Sequence, residues 1–136
     1  MEKWMAASLL ALIIYGFWGF FPKLAVQYIS PPSALIYEIA GAMLVGLIAL
    51  LLVRFQPDVH PKGILFAMLT GITGMIGTLF YFYAASRGKI SVVVSMSALY
   101  PVITIILAAI FLREPITIKQ IFGIIFAMTA IGLLTW

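Results

Sequence analysis

Two charged side chains stand where charge is expensive: Glu38, in Ile36-Tyr37-Glu38-Ile39, and Lys23. Of the twelve charged residues (Lys+Arg 8, Asp+Glu 4), the other ten lie near the ends of long apolar runs. A charge within a bilayer costs at least ~2.5 kcal/mol, so such a residue is a functional candidate by default. Glu38 lies about seven residues into its run, about 10 Å below the start of a helix rising ~1.5 Å per residue. The connection between the two runs is short, so Lys23 and Glu38 lie toward the same side and can meet. Two readings are open. They form a buried ion pair that fixes helix register, or a titratable pair that a solute parts, driving proton uptake. Lys23 also has a plainer role, because its long stem lets the ammonium snorkel to the interface.

Polar aromatic and hydroxyl side chains extend the candidate set. Tyr15 and Trp18 are three residues apart and share a helix face. Tyr15 is too deep for an interfacial belt. Tyr81 aligns with Thr70, Gly74 and Gly77, although a belt position near the end of its run would also explain it. Ser97, Pro101, Thr104 and Ala108 make one small, partly polar stripe, with Tyr100 beside it. A tyrosine hydroxyl at that depth needs a partner. The substrate-binding or coupling candidates are therefore Glu38, Lys23, Tyr15, Trp18, Tyr81, Ser97 and Tyr100. Pro101 cannot donate to the carbonyl of Ser97 and marks a helix break, which either lines a cavity or is a passive kink.

Other chemistries find no residues to run them. No Ser/His/Asp set or phosphate-binding glycine loop is present, so the chain is not expected to be an enzyme. His60 beside Asp58 supplies too few ligands for a metal and reads as solvated. Cysteine is absent, which removes disulfides and thiol chemistry. No cofactor is expected beyond a proton or another coupling ion. The net charge of +4 sits mostly in loops, where it faces anionic lipid and not nucleic acid.

The elements that position these residues are membrane spans. The chain has 136 residues, 65% of them hydrophobic and only 9% charged, against about 25% charged in soluble domains. Its mean hydropathy is +1.21. A spanning helix needs about 20 apolar residues, and five segments meet this, at about 4–27, 31–53, 61–86, 91–112 and 118–136. They form a single domain over 1–136. Met1-Glu2-Lys3 before an apolar run resembles a signal peptide, but the run has no small-residue cleavage site, so a retained helix is expected. Ser30-Pro31 and His60-Pro61 read as helix starts, and Thr117 with Gln120 as a capping box.

Loop charges set orientation. Lys3, Arg54, Lys62, Arg113 and Lys119 fall on the side of the N-terminus; Lys23, Arg87 and Lys89 fall on the other. The bias favours a cytoplasmic N-terminus but is small, and a chain with a small bias and an odd number of spans can insert both ways. Glycines supply close-packing stripes: Gly71, Gly74 and Gly77 in the third span, with others in the second and fifth.

Several of these patterns resemble the EamA-type branch of the drug/metabolite transporter superfamily. The resemblance is carried by Leu99-Tyr100-Pro101-Val102, by Phe111-Leu112-Arg113-Glu114-Pro115, and by Thr117 with Gln120-Ile121-Phe122-Gly123. At the front, Tyr15-Gly16-Phe17-Trp18-Gly19 with Lys23, and then Ser30-Pro31, are similar to the family's first helix and the start of its second. One departure stands out: Glu38 occupies the place where the common pattern has an arginine.

The resemblance implies an all-α membrane protein whose five transmembrane helices form one EamA-like repeat, where family members most often carry two inverted repeats. A lone repeat implies a second copy: an antiparallel homodimer would recreate the ten-helix arrangement, with a parallel dimer or a heteromeric partner as the alternatives. The expected function is export of a small polar or amphipathic metabolite by alternating access, with Glu38 as a coupling carboxylate. The alternatives are a flippase subunit for a lipid-linked head group, acting with a partner chain, and a non-transporting scaffold. The expected location is the cytoplasmic or inner membrane of a prokaryote.

Overall fold

The structure is a computed structural model that describes residues 2–135. Its elements are helical throughout. They are α1 (Lys3–Ala25), α2 (Pro31–Leu52), α3 (Pro61–Arg87), α4 (Ile90–Ser97), α5 (Tyr100–Leu107), a π-helical turn (Ala108–Leu112) and α6 (Ile118–Thr135). Four stretches are long and apolar enough to cross a membrane: Lys3–Ala25, Pro31–Leu52, Pro61–Arg87 and Ile90–Leu112. Ile118–Leu134 is a shorter apolar helix. The expected fifth span ends at Trp136, which lies outside the described residues. The residues fall into two compact units, Met1–Arg87 and Gly88–Trp136.

In the first unit α3 packs against both α1 and α2. The buried residues of α3 are Thr78, Tyr81, Phe82 and Ala85. Their spacing of three and four residues makes one helical face. Gly19 and Pro22 are buried on α1, and Ala34 on α2. These positions are the last third of α1, the first turn of α2 and the last third of α3, so the packed core sits at one end of the unit. Small side chains there let the backbones approach, and in lipid such packing holds helices together without a hydrophobic drive.

Local chemistry sets the helix starts. Pro31 occupies the first position of α2, where its missing N–H costs nothing. Ser30 stands at the N-cap, but its hydroxyl pairs with that of Ser33 at 2.9 Å and caps no backbone group. His60 is not merely solvated. Its Nδ1 accepts the backbone N–H of Gly63 at 3.3 Å, and its carbonyl accepts that of Ile64 at 2.9 Å. The α2–α3 connection turns through two non-glycine residues with left-handed backbone, Arg54 (φ 53) and Phe55 (φ 60).

In the second unit α4 packs against α6. The fourth span is not one bent helix over 91–112. It is interrupted at Ala98 and Leu99, ahead of Pro101, and tightens there through Leu99 N–H to Met96 (3.2 Å) and Val102 N–H to Leu99 (3.0 Å). Pro101 falls in the first turn of α5, where a donor is not needed. The π-helical turn then ends at Arg113 in left-handed conformation (φ 54). The capping box that opens α6 is closed from both sides. Thr117 N–H donates to Gln120 Oε1 at 2.8 Å, and Gln120 N–H donates to Thr117 Oγ1 at 3.3 Å.

Candidate functional site

The packed end of the first unit gathers four of the candidates, Trp18, Lys23, Glu38 and Tyr81. Glu38 lies one turn beyond buried Ala34 on α2, so it points toward the same packed face. Trp18 Nε1 donates to Glu38 Oε1 at 2.8 Å, tying α1 to α2. The other carboxylate oxygen, Oε2, is buried and has no hydrogen-bond partner among the described residues. Leaving a buried acceptor unmet costs about 1–3 kcal/mol, and more when it is charged.

Tyr81 fixes the third side. Its hydroxyl donates to the Gly19 carbonyl at 2.7 Å, joining α3 to α1 next to Trp18. The Trp18 and Tyr81 rings lie 5.3 Å apart between centroids, tilted by 36°. Tyr81 is only 6% exposed, whereas Trp18 is 40% exposed. The buried Tyr81 therefore braces a ring that is itself partly exposed. Thr78, one turn before Phe82, is buried with its hydroxyl on the Gly74 carbonyl at 2.9 Å.

Lys23 takes a different partner from the one its sequence position suggests. Its Nζ donates to the Ala85 carbonyl at 2.8 Å, near the end of α3. Among the described residues no ion pair joins Lys23 to Glu38. The physical reason is geometric. Lys23 stands five residues beyond Trp18, which turns it away from the indole and toward α3, where the last carbonyls of a helix attract a cation.

The remaining candidates lie elsewhere. Tyr15 is 62% exposed and makes no hydrogen bond to this group. Its three-residue spacing from Trp18 does not bring both to α2 and α3. Gly71, Gly74 and Gly77 were expected to be packed, but a methyl at any of them would meet nothing within 4 Å. The buried residues of α3 lie nearer its C-terminal end. Ser97, Tyr100 and Pro101 belong to the second unit, around the break between α4 and α5. Ser97 Oγ donates to its own helix, to the Val94 carbonyl at 3.0 Å, and Tyr100 is 63% exposed.

Sequence reasoning missed two parts of this junction. Pro22 lies inside α1 and cannot close the helical bond to the Trp18 carbonyl. With Gly16 and Gly19 it made a helix-weakening cluster that could have been noticed. Ala85 enters through its backbone carbonyl alone, so its side-chain type carried no signal. Among the described residues no group of three or more His, Cys, Asp or Glu could hold a metal ion.

Apolar helices long enough to span and a carboxylate held inside them define a multi-pass α-helical membrane protein. A family model, the EamA-like transporter family, matches residues 2–136, and the chain belongs to that family. It is also 31% identical over 135 residues to an uncharacterized protein of Methanocaldococcus jannaschii, covering 99% of this chain and 98% of that one. No solved structure matches the chain.

The two inter-helix bonds should differ in weight. Tyr81→Phe removes one neutral bond and should cost about 1 kcal/mol, whereas Trp18→Phe strips a charged acceptor and should cost ~1.5–3 kcal/mol. Unfolding of the reconstituted chain checks this; an equal or reversed order would contradict the assigned roles.

Proposed function

We propose that the chain is a transporter subunit that moves a small polar or amphipathic metabolite outward by alternating access. Glu38 is its coupling carboxylate. The observation that carries this reading is the state of that side chain, one oxygen on the Trp18 indole and the other buried without a partner. Such a group gains from any donor that reaches it, a proton or a solute. Motion of α1 against α2 would break the indole bond and change that demand. Affinity is thereby linked to conformation, as alternating access requires.

The working unit is an antiparallel homodimer. Two considerations support it. Loop charges are nearly balanced between the two sides of the chain, and sites in inverted-repeat transporters lie between repeats. The Methanocaldococcus relative, 98% covered by the match, is itself about one repeat long. The open glycine stripe at Gly71, Gly74 and Gly77 gives a second copy a surface that backbones can approach closely.

Two experiments test this reading. In reconstituted protein, Glu38→Gln should abolish the pH dependence of solute transport; pH dependence that survives would remove the coupling role. Reporters attached to the C-terminus should appear on both sides of the membrane. Signal on one side only would rule out the antiparallel dimer of this chain and point to a partner subunit.

A further inference from the structure

We propose that His60 is a proton-sensitive cap on α3. Neutral, its imidazole closes the first turn of that helix; protonated, it opens the turn. The device lies outside the apolar spans, in the α2–α3 connection, and does not depend on the transporter reading.

Helix α3 is poorly equipped to start. The N–H groups of a first turn have no partners inside the helix and need an acceptor, and negative charge favours that end. No acidic residue stands in the first turn of α3. Lys62 stands there instead, with the wrong sign for the positive end of the helix dipole. Gly63 follows, a weak helix former. Where Ser, Thr, Asp or Asn customarily caps, the chain has His60. Its Nδ1 accepts the Gly63 N–H at 3.3 Å, and its carbonyl accepts the Ile64 N–H at 2.9 Å. Among the described residues, the first of these is the one side-chain bond to an N–H of this turn. A methyl at Gly63 would lie 3.8 Å from His60 Cβ, so the histidine sits over the turn that it closes.

Accepting at Nδ1 fixes the tautomer, with the proton of the neutral ring on Nε2. A second proton binds only at Nδ1, on the lone pair that the Gly63 N–H uses. Protonation therefore sets a donor against a donor, and the bond is lost. It also places an imidazolium at the positive end of the helix dipole. Both effects act in the same direction. Of the charged groups around the connection, Asp58 attracts the imidazolium, while Lys62 on α3 and Arg54 after α2 repel it. Glu2 and Lys3, at the start of α1, offset each other. The bond exists only with the neutral ring, so its contribution is complete in alkali and is lost as the pH falls. Imidazole is the side chain that ordinarily changes charge between about pH 5 and 8. The loosened segment is Pro61–Ile64. It adjoins a connection that already holds Arg54 and Phe55 in left-handed backbone, φ 53 and 60.

His60 is the one histidine of the chain, so nitrogen-15 histidine labels it alone. NMR of the full chain in micelles follows both ring nitrogens between about pH 8 and pH 5. It also follows protection of the Gly63 and Ile64 amides against hydrogen exchange, corrected for the intrinsic pH dependence of exchange. At the alkaline end Nδ1 should be unprotonated and Nε2 should carry the proton. Protonation of Nδ1 should run in step with a loss of Gly63 protection of about five-fold. His60→Asn, which caps without titrating, should keep the protection throughout, and His60→Ala should lack it throughout. The loss should persist in Glu38→Gln, because a different group drives it. A neutral ring protonated on Nδ1 overturns the proposal, as does protection that ignores pH. So does an equal loss in His60→Asn, or a loss that vanishes in Glu38→Gln. The readout is local helix order and not flux, so the transport reading stands or falls separately.

Discussion

The hydrogen bond from Trp18 Nε1 to Glu38 Oε1, 2.8 Å long, is the contact on which the first unit turns. A carboxylate in an apolar span must be neutralised, hydrated or given donors. Here one indole N–H answers part of that demand, and in doing so fixes α1 against α2. Tyr81 then holds α3 to the same stretch of α1 through the Gly19 carbonyl. Three helices thus meet around one carboxyl group. Without Glu38 the indole would have no reason to face α2. Without Tyr81 the Trp18 ring would lose the neighbour beside which it is held.

The same junction explains why packing is confined to one end of that unit. The buried positions Gly19, Pro22, Ala34, Thr78, Tyr81, Phe82 and Ala85 cluster there. Toward the other end a methyl at Gly41 or Gly46 of α2, or at Gly71, Gly74 or Gly77 of α3, would meet nothing within 4 Å among the described residues. In lipid there is no hydrophobic force to close such a gap, so helices associate only where side chains interlock or hydrogen-bond. The unit is thus held by packing and hydrogen bonds at one end. Pro22 leaves α1 without a helical bond at the turn that carries Trp18.

Much of this was legible in the sequence, and the rest was hidden for identifiable reasons. Spans announce themselves through apolar length, and the starts of α2, α3 and α6 through Ser30-Pro31, His60-Pro61 and the Thr117–Gln120 box. Glu38 stood out because charge is rare in such runs. Its partner did not. Whether Glu38 meets Lys23 or Trp18 depends on the rotation of α1 about its axis, which neither periodicity nor loop length supplies. Lys23 found a backbone carbonyl, and carbonyls are the same at every residue. The break in the fourth span was announced by Pro101 but falls at Ala98 and Leu99, because a proline is best placed within the first turn of the helix that follows. The π-helical turn after it carries no sequence mark. His60 looked solvated because a histidine cap lacks the Ser, Thr, Asp or Asn that usually signals one.

The most direct measurement is a solid-state NMR contact between Trp18 and Glu38 in bilayers. Replacing Trp4 and Trp136 with phenylalanine would leave one tryptophan of the three in the chain, which can then be labelled with nitrogen-15 at the indole. Carbon-13 at the glutamate carboxyl, assigned by comparison with Glu38→Gln, supplies the other label. A junction built on this carboxylate predicts strong transfer between the indole nitrogen and the Glu38 carboxyl carbon, as a 2.8 Å N–O bond requires. Absence of transfer, with both signals resolved, would contradict it. The indole would then not be the partner that holds Glu38, and the site built around that bond would fall.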